Sequence, residues 1–178
     1  MATLYPYLVS SLPMLLFGMK APFSFESFLE RCQDLIPDND MDIVKSISLT
    51  MQEEDSEIKS FLPIQAQWYN FQRGLKNELV RIRAARRKID PVRYLRKEGL
   101  EESSLMHAAL AASRNTSILD AERFLDQKRW EYLDELEVGH YFDFEYLYIY
   151  AWKLCILLRW ERISREDGAK LLEGVLTV

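Results

Sequence analysis

The chain predicts an all-α fold, an irregular bundle of three long helices and several short ones. Three observations lead there. Apolar residues recur at spacings of three and four along most of the sequence. Gly and Pro number only six each among 178 residues, too few for a turn-rich β fold. No segment alternates apolar and polar residues long enough to require a strand. With 48% hydrophobic and 29% charged residues the composition is that of an ordinary globular protein. The length suits one domain, 1–178, with a core large enough to need no staples.

The elements follow in order. The opening stretch "MATLYPYLVSSLPMLLFGMK" is apolar, but its first side-chain cation is Lys20, after the apolar run. Pro6 and Pro13 interrupt it, so it does not read as a signal peptide. It is expected to be extended, with Tyr5, Tyr7, Leu8 and Leu12 against the core. "SFESFLERCQDL" reads as a short helix with capping-box spacing at Ser27 and Glu30, and with Phe25, Phe28, Leu29 and Cys32 on its apolar stripe. "PDND" is a turn and helix start, "MDIVKSISL" a second short helix, and residues 50–60 a loop.

A long helix is predicted over 64–88. Trp68, Phe71, Leu75, Leu79 and Ile82 step by three or four and form one stripe. Asp90-Pro91 ends it, and Pro91 can open a short helix, "PVRYLRK". "EESSLMHAALAAS" is a small-residue helix suited to close packing, and "RNTS" a loop. Ser117 and Asp120 carry the spacing of a helix start. That helix runs to about Glu137 with Ile118, Ala121, Leu125, Tyr132 and Leu136 inward, and Gly139 stops it. A further helix covers most of 142–163, and the spacing of Ser164 and Asp167 suggests a separate short one over "GAKLLEGVL".

The stretch "FDFEYLYIYAWKLCILLRWERI" raises the question of a membrane span. A span needs about 20 predominantly apolar residues. Here Glu145, Lys153, Arg159, Glu161 and Arg162 interrupt, and a central Lys alone costs roughly 2.5–3.5 kcal/mol to insert. An aromatic ligand box fares no better. At about 100° per residue Tyr146, Tyr148, Tyr150 and Trp152 fan around the helix and do not converge. Apolar residues on nearly every side predict a helix surrounded by others. Lys153 is then expected to reach the surface by its stem or to pair with an acid.

Charge is unevenly spread. The net charge is -5, so nothing draws the whole chain to nucleic acid or an anionic membrane. Yet "RGLKNELVRIRAARRKIDPVRYLRK" holds ten Lys and Arg against Glu78 and Asp90, a local net of +8 that leaves -13 for the rest. Arg73, Lys76, Arg83 and Arg87 share one helical face, opposite the Trp68/Leu75/Ile82 stripe. They are the candidate partner-binding residues, a docking face for an acidic partner. The alternative is a solvated face paired with the chain's own acids, such as those of "DELE" or Glu101 and Glu102. Nucleic acid would call for exposed aromatics or a Gly-rich loop beside the basic face, and no nucleic-acid motif is present.

No catalytic constellation stands out: GxSxG, the phosphate-binding GxxxxGK[ST], GxGxxG and HExxH are all missing. His107 lies in the Ala-rich helix and His140 at a helix junction, both more typical of structural histidines. With only these two His and no CxxC, no metal site and no cofactor are expected. Cys32 and Cys155 read as buried free thiols.

Several stretches taken together resemble a known family. They are "YPYLVSSLP", "PFSFESFLERC", "FQRGLKNELVRIRAAR" and "LDAERFLDQKRWEYLDELEVGHYFDFEYLYIYAWKLCILLRWERI". They resemble a bacterial family of unknown function encoded beside V-type ATPase genes. The later half is similar to the socket component of A/V-type rotary ATPases, through an acidic helix, a break with Gly and Phe, and an apolar helix ending in Arg and Glu. That component is all-α and non-catalytic, and it seats the central rotor shaft on the proteolipid ring of the membrane sector. It has three related helical units, and 178 residues are too few for three. The resemblance implies a cytoplasmic, non-enzymatic subunit or assembly factor, peripheral to the inner membrane through the complex. Its partners would be the central shaft and the membrane ring, with no small-molecule substrate. A generic helical adaptor without an ATPase is the other reading.

Overall fold

The structure, a computed structural model, describes residues 4–50, 62–96 and 99–176. Among the described residues every regular element is helical. In order these are α1 (Pro6–Ser11), α2 (Phe25–Cys32), α3 (Asp38–Thr50), α4 (Pro63–Arg87), a 3-10 turn (Val92–Tyr94), α5 (Ser103–Arg114), α6 (Ile118–Glu137) and α7 (Phe144–Leu176). The class is all-α, with α4, α6 and α7 as the long helices. The loop expected over 50–60 lies outside the described residues, except Thr50, which ends α3. The chain gathers into two compact units, one of Met1–Ser56 with Asp134–Val178 and one of Glu57–Leu133.

The first unit is organised by α7. Every residue from Leu147 to Leu157 is buried, and α2 and α3 pack against the helix. The apolar residues on nearly every side of this helix thus find neighbours, as the sequence predicts. Tyr150 carries much of the packing. Its ring stacks on Phe28 at 5.4 Å and on Phe23 at 6.4 Å, and its hydroxyl donates to the Pro13 carbonyl at 2.9 Å. Each such buried ring contributes roughly 1.5–3 kcal/mol by leaving water. No helix of the described residues is long and apolar enough to cross a membrane.

Lys153, only 8% exposed, is held by carboxylates from the end of α6. Its ammonium lies 2.7 Å from Asp134 Oδ1 and also donates to Glu137. Two acids of "DELE" are thereby committed inside this unit.

Four expectations change here. The opening stretch is not extended: Pro6 sits in the first turn of α1, where its missing N–H costs nothing. Tyr5 and Leu8 are buried as expected, while Tyr7 points out at 79% exposure. The N-cap of α2 is Ser24, whose hydroxyl accepts from the Ser27 N–H at 3.2 Å, so Ser27 is already helical. Finally, α7 continues through Ser164 to Leu176 with no separate last helix. A cap residue starts a helix only where the preceding backbone is not already helical, and Gly168 and Gly174 within α7 cost only about 1 kcal/mol each.

Both cysteines are free and buried. Burial pushes the Cys32 thiol from 9.0 to about 12. Burial, then the Glu26 carboxylate, pushes Cys155 from 9.0 to about 12. Burial likewise raises Tyr150, and burial followed by the Glu137 charge raises Tyr146. Each of these groups holds its proton more tightly folded than unfolded. Their contribution to stability is complete below the unfolded values and falls as pH climbs, for the thiols from 9.0 towards about 12. We expect a disulfide-exchange thiol reagent at neutral pH to label neither cysteine in the folded protein and both in urea. Rapid labelling of the native protein would contradict the burial.

The second unit is built on α4. Gln65 reaches back to accept from the Leu62 N–H at 3.1 Å, which closes the helix start behind Pro63. Trp68, Phe71 and Leu75 are buried as predicted, and Phe71 stacks on Tyr132 of α6 with centroids 4.0 Å apart. Leu79 and Ile82, expected on the same stripe, are only half-buried. Beyond Leu75 burial moves to Asn77 and Ala84, because α4 meets α5 there.

Arg96, Gly99 and Leu100 lie directly on α4. The buried Asn77 side chain accepts from the Arg96 N–H at 2.8 Å and donates to the Arg96 carbonyl at 3.0 Å. The Leu100 N–H donates to the Asn70 carbonyl at 2.9 Å. Gly74 and Gly99 allow this approach. A Cβ on Gly74 would stand 2.3 Å from the Leu100 carbonyl oxygen. The alanine face of α5 (Ala108, Ala109, Ala112) is buried, as its small residues predict. The short helix expected from Pro91 is only the 3-10 turn.

At the α6 start Ser117 Oγ accepts from the Asp120 N–H at 3.2 Å. Leu125 is inward as predicted, but Ile118 is 85% exposed. One turn from a helix start, spacing alone does not say whether anything lies opposite. Asp126, 1% exposed and absent from the expected face, is bound by Arg129 at 2.6 Å, and Arg129 also donates to Gln72 of α4 at 3.1 Å.

Candidate partner-docking surface

The basic run divides into two groups by what each cation touches. One group builds the second unit. Arg81 pairs with Glu78 of its own helix and reaches Glu101 at 3.5 Å. Arg86 donates to the Ser113 carbonyl at the end of α5. Arg73 and Lys76 are half-buried and engaged with neighbours. For Arg81 the chain's own acids do neutralise the run, as the alternative reading expects.

The other group faces outward. Arg83 and Arg87, on the face assigned from the sequence, are exposed and pair with no carboxylate among the described residues. Lys88 and Arg93, just beyond, are also exposed and unpaired among the described residues. Lys88 ends α4 in the left-handed conformation at φ 56°, and its N–H caps the Ala84 and Ala85 carbonyls. That cap turns the chain so that the cations continue off the helix. Asp90, the acid inside this stretch, accepts from the Val92 N–H at 3.0 Å and fixes the turn.

Three apolar side chains stand exposed among these cations: Ile89 at 44%, Val92 at 70% and Tyr94 at 55%. Sequence reading missed them because it tracked charge and let Pro91 start a helix. The available signal was the interleaving itself, since Ile89, Val92 and Tyr94 are the apolar residues between Lys88 and Arg96 other than Leu95 and Pro91. Apolar side chains ringed by cations are typical of an interaction surface, with desolvation at the centre and charge at the rim. Of the four predicted binding residues, Arg83 and Arg87 lie on this surface, while Arg73 and Lys76 lie further back along α4.

A second cluster is structural. His140 Nδ1 lies 2.6 Å from Asp143 Oδ2, and Asp143 Oδ1 accepts from the Tyr146 N–H at 3.1 Å. Together with Glu145 their ligand atoms fall within 4.8 Å of one another, a set able to approach a metal ion. Sequence reading saw no such grouping. Its hydrogen bonds cap α7 and close the turn after Gly139, whose φ is +93°. His107 is exposed on α5.

The later part of the chain has a family match. Residues 99–177 match the model of DUF2764, described as a protein of unknown function. The match takes in α5, α6 and α7 and leaves out α4. No curated protein and no solved structure matches the chain.

Proposed function

We propose that this protein is a non-catalytic subunit or assembly factor of a V-type rotary ATPase, bridging the soluble rotor shaft and the membrane sector. It would be cytoplasmic and peripheral to the inner membrane through the complex. The observation that carries the reading is the exposed surface from Arg83 to Tyr94, where Arg83, Arg87, Lys88 and Arg93, without carboxylate partners among the described residues, stand around Ile89, Val92 and Tyr94. Such a surface fits an acidic protein face carrying an apolar anchor point, and complementary charge speeds and orients docking. The ATPase itself enters through the resemblance of the quoted motifs. A role in transmitting contact forces needs rigid helices and no active site, and long packed helices are what the chain offers.

The test is co-purification from native membranes. The wild-type chain is expected to recover rotary ATPase subunits. Arg83→Glu with Arg87→Glu should abolish that recovery, since two reversed charges in a desolvated contact cost several kcal/mol. If the double variant still brings down the ATPase, the docking surface is elsewhere. If the wild type recovers other proteins and no part of the ATPase, the chain is a helical adaptor of another complex. Exposed Tyr94 beside Arg93 supplies the aromatic that a nucleic-acid surface would need. Binding to nucleic acid that weakens steeply with salt would therefore replace the proposal.

A further inference from the structure

The loop entering α2 and the outer turns of α7 enclose a cleft of about 400 Å³ in the first unit. That volume lies in the range of small-molecule sites. Lys20 comes from the loop and Arg162 and Arg165 come from α7, so three cations from remote parts of the sequence line one concavity. The single carboxylate of the lining is Glu161. It accepts from Arg165 at 2.6 Å and holds that guanidinium in place. Lys20 and Arg162 form no ion pair among the described residues.

The lining therefore carries a net charge of about +2 in a chain whose overall charge is -5. Arg162 and Arg165 are three residues apart on one helix, and Glu161 compensates only Arg165. The walls are apolar, with Phe23 on one side and Leu158 on the other element. Phe23 is fixed in place: the Arg31 guanidinium sits 5.0 Å from its ring centroid, and the Tyr150 ring lies 6.4 Å away. A rigid aromatic wall takes a flat or apolar body, and a cationic rim takes its charged end.

We infer that this cleft binds a phosphate monoester whose phosphate meets Lys20, Arg162 and Arg165 and whose apolar body rests on Phe23. Charge decides for phosphate over carboxylate. A phosphate monoester carries about -1.5 to -2 at neutral pH, which matches the lining, whereas a carboxylate would leave it half compensated. Guanidinium forks suit the phosphate oxygens geometrically. This site is independent of the surface on α4 and does not rest on the ATPase reading. A soluble ester and a lipid headgroup share the chemistry.

Two probes distinguish the sources: phenyl phosphate in solution, followed by calorimetry, and phosphatidylcholine vesicles with and without phosphatidic acid, followed by sedimentation. Saturable binding of phenyl phosphate, weakened roughly tenfold or more by Arg162→Glu and by Lys20→Glu, supports a soluble ester. Binding only to the phosphatidic acid vesicles, with loss in the same two variants, supports a headgroup. Both side chains are exposed, so the variants should keep the wild-type melting temperature. Arg83→Glu with Arg87→Glu should leave binding to phenyl phosphate unchanged. No saturable binding to either probe, or binding that survives both substitutions, overturns the inference.

Discussion

Gly74→Ala should destabilise the protein by about 3 kcal/mol, lowering the melting temperature by roughly 10 °C. The sign is opposite to the general rule. Within a helix Ala is normally better than Gly by roughly 0.5–1 kcal/mol, because it loses less backbone freedom on folding. Here the new Cβ would meet the Leu100 carbonyl oxygen at 2.3 Å, Leu105 Cδ1 at 2.8 Å and the Leu100 nitrogen at 3.1 Å. The first and last are backbone atoms, and no rotamer change relieves them. Residues 99–100 would have to lift from α4, straining the bonds from Leu100 to Asn70 and from Arg96 to Asn77. Urea unfolding of the variant measures this. A midpoint equal to or above that of the wild type would contradict the close approach of Gly99 and Leu100 to α4.

The second large effect concerns Lys153. Replacing both of its acids, Asp134→Asn with Glu137→Gln, should cost about 3 kcal/mol, because a largely buried ammonium loses its two carboxylates. Lys153→Met removes the same interactions from the other side and should be close to neutral. Methionine has a similar length, and its neighbours Leu154 and Trp152 are buried apolar residues. Asp134 and Glu137 remain partly exposed and hydrate readily once the lysine is gone. Comparing the two variants separates the worth of the pair from the cost of stranding one member. If Lys153→Met is as damaging as the double acid variant, the lysine does more than neutralise those acids.

The class and the long helices could be read from spacing because a buried stripe needs only local sequence. Trp68, Phe71 and Leu75 followed from one another at steps of three and four, and so did the buried faces of α5 and α7. What failed was each case in which the answer lay on another segment. Ile118 has the right spacing but stands exposed, and Tyr7 is exposed beside a buried Leu8. Ser164 looks like a helix start only if the helix before it has ended. Asp126 is buried because Arg129 is there, and spacing gives a charged residue no reason to turn inward.

The candidate surface was half legible for the same reason. Arg83 and Arg87 were visible as a charge run. That Arg81 and Arg86 would be used internally depended on where Glu101 and Ser113 come to lie. Ile89, Val92 and Tyr94 became part of the surface only when Pro91 gave a single 3-10 turn instead of a helix. The cleft was not legible at all, since Lys20 stands in a stretch read as a plain apolar opening and Arg162 in one read as the tail of a core helix.

The division into units has a consequence for how the chain acquires its structure. Residues 57–133 are continuous, and α4 and α5 are joined by a short stretch, so their contacts close small loops at low entropic cost. The first unit joins Met1–Ser56 to Asp134–Val178, with the whole of the other unit intervening. On the ribosome, Phe28 and Val44 emerge well before α7, the helix that α2 and α3 pack against. The apolar faces of α2 and α3 must wait in water while the middle of the chain is made. A middle segment that folds by itself shortens the loop that the last step has to close. The topology therefore predicts that the middle unit gains protection before α2 and α3 do, an order that pulsed hydrogen exchange during refolding would check.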